Sequence, residues 1–345
     1  MGAVWFCLVA LMLTVYVVLD GFDLGAGIVH LLVARNEGER RLVSRTVGPV
    51  WGANEVWLIA AGGTLYFAFP ALYAGSFSGF YLPLMMMLWL LILRGISLEF
   101  RSHVTTPIWE SFWDVVFFLA SLLLAVFYGA ALGNVVRGVP LNAHGQFFEP
   151  LWTNFRPHGE TGILDWYTIL AGVTALVALT LHGALWVVLK TEGALHVRAR
   201  KLAAKLWWAV VASTILITWS SFSLQPHLNA GYTAHPWGYI FPAIAVSALV
   251  GIIVFLKNET RAFYSSCVYL ASMLASAAFG LYPDVLPAST NPALSLTVEN
   301  AKAADYGLKI GLVWWTIGII LATIYFVMVY RRFTGKVSAS SGEES

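Results

Sequence analysis

Near the start of the chain, Tyr16, Asp20, Asp23, Gly27 and His30 recur at helical spacing. At 100° per residue they fall within an arc of about 80° on one helix face. Carboxylates and an imidazole aligned behind apolar walls and joined by water can pass protons. Asn54 and Glu55 follow in WGANEVWLIAAGG, flanked by Trp51 and Trp57, and Arg94 and Glu99 lie in RGISLEFR. Counted inward from the same end of their segments, His30, Asp23, Glu55, Arg94 and Glu99 reach comparable depth, so five ionisable groups could converge. A static ion-pair cluster, for instance Glu55 with Arg94, fits the same residues. Asp20 and Asp23 could also cap backbone groups opened at a glycine kink.

Other chemistries find less support. Only His30 and His182 lie within apolar segments, and neither is placed as one of a pair of axial haem ligands. Each reads as a satisfied interior histidine. His103, His144, His158, His196, His227 and His235 lack metal-ligand spacing, so no metal site is expected. Cys7 and Cys267 form no C-x-x-C pattern and read as packing residues. Nucleophile-elbow, phosphate-loop and zincin motifs are missing.

The elements that must hold these residues follow from composition. Of 345 residues, 59% are hydrophobic and 11% charged, where soluble domains carry about 25% charge. The chain therefore reads as an all-α polytopic membrane protein, since long continuous apolar runs exclude an alternating outer-membrane barrel. A net charge of +2 gives no basis for nucleic-acid binding. Spans of roughly 20 apolar residues number about nine: 3–34, 50–69, 76–98, 114–136, 163–189, 206–224, 237–256, 262–282 and 308–330. The first, near 48 Å at 1.5 Å per residue, requires tilt or a kink, which Gly21, Gly25 and Gly27 could supply.

On this map one side carries Arg137, Arg156, Lys302 and Lys309, and the other carries the remaining sixteen of the 20 Lys and Arg. By the positive-inside rule the N-terminus is outside, that is periplasmic, and the C-terminus cytoplasmic. Before the first cation, Arg35, there is no charged leader, so the first segment reads as a retained helix. The connections 141–162 and 283–307 are too long for mere linkers and should fold over the outer face. Residues 333–345 read as a disordered cytoplasmic tail. A shift of 155 residues aligns Arg35 with Lys190, Glu37-Gly38 with Glu192-Gly193, and Arg45 with Arg200, a weak same-sense repeat. It divides the chain into a first four-helix bundle over 1–140, a second over 163–282 and a peripheral helix over 308–332.

DGFDLGAG from Asp20, GPVWGANEVWLIAAGGTLYFAFPALYAGSFSGFYLP from Gly48, RGISLEFR from Arg94 and GNVVRGVP from Gly133 closely resemble subunit II of the bacterial cytochrome bd-type quinol oxidases. The likeness is dense over 16–140. It implies two four-helix bundles plus one peripheral helix in the bacterial inner membrane. It also implies a quinol:oxygen oxidoreductase that reduces dioxygen to water with cytoplasmic protons. The two b haems and haem d would belong to the partner, subunit I, with quinol as substrate and this chain ligating no cofactor. Room remains for a small single-helix subunit, lipid and quinone as further partners. By resemblance, Trp57 lies beside an oxygen path, and Asp20, Asp23, Arg94 and Glu99 match polar family positions. Some members carry an acid directly after the first Trp of W-x-x-N-x-V-W, where a proton path begins. This chain has Gly52 there, and Glu55, about 60° away around the helix, could serve instead.

Two other classes stay open on the residues alone. A secondary transporter would hold its site near the midplane, commonly between inverted repeats. A quinone-binding membrane anchor of another respiratory complex would also need a polar stripe facing a partner.

Overall fold

The computed structural model describes residues 1–157 and 160–337. His158 and the tail residues 338–345 lie outside the described residues. Helix α1 spans Gly2–Val33, α2 Glu37–Val47, α3 Trp51–Ala68, α4 Pro70–Gly79, α5 Tyr81–Phe100 and α6 Pro107–Arg137. Next come α7 Trp166–Lys190, α8 Gly193–Leu224, α9 Pro226–Ala234, α10 Ile240–Val254, α11 Glu259–Leu281 and α12 Asp305–Arg332. The strands β1 Asp284–Leu286 and β2 Leu296–Thr297 pair antiparallel. Among the described residues eight helices are long and apolar enough to cross a membrane, and nine if α3 and α4 count as one broken span.

The break lies at the expected end of the second span, 50–69: at Phe69 the chain turns by 119° into α4, a short helix that was not expected, and the next crossing, α5, overlaps the expected 76–98. Pro70 is the cause: it has no N–H for the carbonyl one turn back, and it is well suited to open a new helix. Of the expected tilt or kink, α1 shows no break at its glycines, being one unbroken helix of 32 residues. Its glycines serve close approach instead. A Cβ on Gly25 would sit 2.6 Å from Gly183 N and 2.7 Å from Gly183 Cα, and one on Gly21 would meet Leu179 at 2.9 Å. Without a hydrophobic drive between helices in lipid, such small-residue crossings let backbones pack.

Around that crossing α1 packs on α3, α6, α7 and α11, while α6 packs on α5 and α7, α7 on α8, and α10 on α11. Along α12, the most apolar window has no buried residue, so this helix lies at the periphery. The end of α1 and the start of α2 match the end of α7 and the start of α8, as the repeat requires. The copies then diverge. α2 stops before Gly48-Pro49, whereas α8 runs on through Ala203-Ala204, which carry no proline to interrupt the ladder.

The connections at the Met1 end form a cap. Val139 N donates to Pro287 O at 3.0 Å and Ser289 N to Val139 O at 2.9 Å, joining the two long segments. Trp5, Phe69, Leu141, Phe147, Leu286 and Leu308 make its apolar core. Arg137, at the end of α6, pairs with Asp165, donates to Glu149 Oε2 at 2.9 Å and to Asn134 Oδ1 at 2.8 Å. Burial pushes the Glu149 carboxyl above its ordinary value, against the pull of Arg137. Arg137→Ala is therefore expected to cost about 3–5 kcal/mol, because it strands two buried carboxyls, and Glu149→Gln much less. Thermal unfolding of the two variants measures the difference.

At the opposite end, residues 333–337 are not loose, contrary to the expected tail. Lys190 Nζ donates to Phe333 O at 2.7 Å, Val337 N donates to Lys190 O at 2.8 Å, and Lys336 pairs with Glu259 at 2.9 Å. Exposed backbone carbonyls and a nearby carboxylate give these residues partners that their small polar composition did not suggest.

A buried charge network between the helices

The stripe on α1 is buried along its whole length, with Tyr16, Asp20, Asp23 and His30 each 2% exposed or less. Arg94 reaches in from α5, and its Nη1 donates to both Asp20 oxygens at 2.8 Å. From α3, Glu55 approaches Arg94 Nη2 at 3.7 Å, its side chain 22% exposed. Arg94 is thus paired mainly with Asp20, and Glu55 is the member nearest the surface. Buried charges survive only when paired in this way.

Asp23 is held by uncharged partners instead of an arginine. Asn54 Nδ2 donates to Asp23 Oδ2 at 2.8 Å, and Tyr330 of α12 donates to Asn54 Oδ1 at 2.7 Å. The peripheral helix is therefore wired into the buried site, which its apolar sequence gave no sign of. Neither aspartate caps opened backbone, since α1 is continuous.

The five expected groups do not meet in one place. His30 lies two turns from Asp23 and faces a second cluster built on Asp114 of α6. There Arg101 Nε donates to Asp114 at 2.6 Å, Arg101 also pairs with Glu37, and Arg40 Nη1 stands 3.6 Å from Asp114. His30 Nε2 is 3.7 Å from Asp114 Oδ1, too long for a hydrogen bond. Glu99 joins neither cluster: its side chain is exposed, on the face of α5 away from Arg94. Asp114 and Arg101 went unnoticed in the sequence because each sits at a segment end, where solvated charge is ordinary. The recurrence of Asp114, Ser121 and Tyr128 at intervals of seven was the available signal.

Trp57 is 9% exposed and packs on Phe326 of α12 with ring centroids 5.3 Å apart, beside Met12, Tyr16 and Ala61. His182 is a satisfied interior residue: Nδ1 bonds Ser266 Oγ at 2.7 Å, Nε2 bonds Val18 O at 2.9 Å, and the ring stacks on Phe263. His30 is only half satisfied, with Nδ1 on Gly27 O at 2.5 Å. Haem ligation does not fit either residue, one having both nitrogens engaged and the other pressed against Phe117 at 5.3 Å. Among the described residues, no group of three His, Cys, Asp or Glu could hold a metal ion. An apolar cavity of about 240 Å³ lies towards the Met1 end, lined by Phe6, Leu13, Leu72, Val135, Leu274 and Val285 among others.

The fold and this network define a class: a polytopic helical membrane protein that holds paired charges buried between its helices. The sequence model of the family described as "Cytochrome bd terminal oxidase subunit II" matches residues 1–333. The chain is 33% identical over 307 residues to "Cytochrome bd ubiquinol oxidase subunit 2" of Bacillus subtilis, covering 89% of this chain and 88% of that one. It is 31% identical over 372 residues to "Probable cytochrome oxidase subunit 2" of Haemophilus influenzae, covering 98% and 95%. The structure of bd oxidase from Geobacillus thermodenitrificans shares the fold, with a TM-score of 0.72 at 17% identity over 96% of this chain and 98% of that one. The chain belongs to the cytochrome bd terminal oxidase subunit II family. It is a multi-span membrane subunit of a bacterial respiratory oxidase, a complex that includes subunit I and contains haem.

Proposed function

We propose that this chain supplies the cytoplasmic proton route of a quinol-oxidising bd-type complex, in which subunit I holds the two b haems and haem d. The relatives named as ubiquinol oxidases support quinol as the reductant. The observation that carries the proton role is the step from partly exposed Glu55 to the fully buried Arg94–Asp20 pair. A fixed guanidinium between an accessible and an inaccessible carboxylate lets a proton approach without leaving two negative charges uncompensated. Gly52 carries nothing in that path, and Glu55 takes the position of first acceptor. Asp20 and Asp23 follow it, with Arg94 as the fixed counter-charge. His30 belongs to the neighbouring branch, and Glu99 collects protons at the surface. Trp57, in its apolar cluster against α12, flanks the path of oxygen.

The charge asymmetry supports a periplasmic N-terminus and a cytoplasmic C-terminus, which places Glu55 on the cytoplasmic side. Two four-helix units, around α1 and around α7, then stand side by side with α12 outside them, and the fold leaves lipid-facing surface for a small single-helix subunit and quinone. The anchor and transporter readings lose ground to the family match.

Glu55→Gln tests the proposal in the purified, reconstituted complex. Oxygen consumption and proton uptake are expected to fall together by about 10²-fold, the lower range for loss of a proton-transferring group. The haem content of the complex is expected to stay unchanged. Full turnover with full proton uptake would defeat it.

A further inference from the structure

The polar stripe on α1 has a partner on α6. The two helices are antiparallel, and Asp114, Ser121 and Tyr128 come opposite His30, Gly27 and Tyr16. Asp114 Oδ1 is 3.7 Å from His30 Nε2, and Tyr16 donates to Tyr128 OH at 2.7 Å. Ser121 lies directly over Gly27, where even a Cβ would come within 2.9 Å of Ser121 Cβ. Three side-chain atoms along this seam are buried without a hydrogen-bond partner: Asp23 Oδ1, Ser121 Oγ and His30 Nε2. Each such atom costs about 1–3 kcal/mol if left bare. Over residues 23 to 30 the helix rises about 10 Å, and the three unpartnered atoms lie in order along that stretch, with Ser121 over Gly27 between the other two.

One end of the seam reaches solvent. Asp114 is held by Arg101 and faced by Arg40, Arg101 also holds Glu37, and the Glu37 and Arg40 side chains are 44% and 31% exposed. These are the charged groups around His30 from α2, the end cap of α5 and α6, and Phe117 covers the ring. The other end is Asp23, which already belongs to the Asn54–Tyr330 branch.

We propose that the α1–α6 seam is a second proton inlet, running from Glu37 and Asp114 through His30 and Ser121 to Asp23. It rests on the proton-route reading above and adds a branch that bypasses Glu55 and Gly52. Gly27 O can only accept, so the ring carries its proton on Nδ1 and presents a lone pair at Nε2. A proton arriving past Asp114 binds Nε2, and the Asp114 carboxylate balances the imidazolium. The same nitrogen then releases it towards Ser121, whose hydroxyl accepts one proton as it gives up another, and Asp23 Oδ1 receives it. One proton moves inward and no electron is transferred.

The test uses the intact complex in proteoliposomes, with His30→Gln, Ser121→Ala and Asp23→Asn compared for oxygen consumption, proton uptake, solvent deuterium isotope effect and haem content. We expect all three to keep their haem and, each combined with Glu55→Gln, to lower the residual turnover of that variant by about a further 10²-fold, with a larger isotope effect than it shows alone. If Asp23→Asn alone is slowed, the seam is no inlet while the proton-route reading stands. Unchanged turnover and proton uptake in all three, with Glu55→Gln also silent, would remove both. Loss of haem from both His30→Gln and Ser121→Ala would assign the seam to packing and overturn the inlet.

Discussion

Arg94→Gln is expected to destabilise the subunit by about 3–5 kcal/mol, because it leaves the Asp20 carboxylate, 0% exposed, without its counter-charge. The glutamine amide can still donate hydrogen bonds, but it supplies neither the charge nor the contact that Arg94 Nη1 makes at 2.8 Å to both oxygens. Most of the cost is the stranded carboxylate rather than the lost bond. The double variant Asp20→Asn with Arg94→Gln is accordingly expected to recover more than half of the loss in thermal stability and in recovery of the haem-containing complex. Proton-coupled turnover should remain low, since the neutral pair cannot carry charge. Equal destabilisation by the double and the single variant would show that Arg94 acts through packing alone.

A comparable loss is expected at the centre of the molecule, for a different reason. Gly25→Leu sets a branched side chain into the backbone of α7, where even a Cβ would lie 2.6 Å from Gly183 N. Neither helix can yield locally, because α1 is held by α3, α6 and α11 and α7 by α6, α8 and α11. The expected cost is about 3 kcal/mol, the upper range for overpacking, read as a lower midpoint of thermal unfolding and poorer assembly with subunit I. Gly62→Ala on α3 provides the contrast, since nothing lies within 4 Å of a Cβ there. It is expected to be neutral or to stabilise by up to about 1 kcal/mol through helix propensity. A similar loss at both positions would rule out close approach as the cause.

Much of the architecture could be read before any coordinates. The apolar runs located the spans because a bilayer requires roughly 20 apolar residues whatever the neighbours are. The separate helix α4 was not legible because the apolar composition carries on through FAFPALYAGSFSGF, and hydropathy is blind to the lost N–H of a proline. Likewise α2 fell outside the span count because it is short and charged, although Asn36 caps it by accepting from Glu39 N at 2.9 Å. Within the site, the face shared by Tyr16, Asp20, Asp23 and His30 was legible from periodicity. Their partners were not. Glu99 and Arg94 occur in one motif, yet five residues of helix set them on different faces, one exposed and one 0% exposed.

The sequence by itself determined that the chain crosses the membrane many times and that α1 carries a polar face needing cover. Both follow from local composition and helix geometry, which do not depend on what packs where. Tertiary structure alone decided that Arg94 pairs with Asp20, that Asn54, held by Tyr330, stands against Asp23, and that Asp114 of α6 faces His30 of α1. Such pairings join residues 31 to 276 positions apart, and their choice depends on helix rotation and depth, which only the packing of all the helices together fixes.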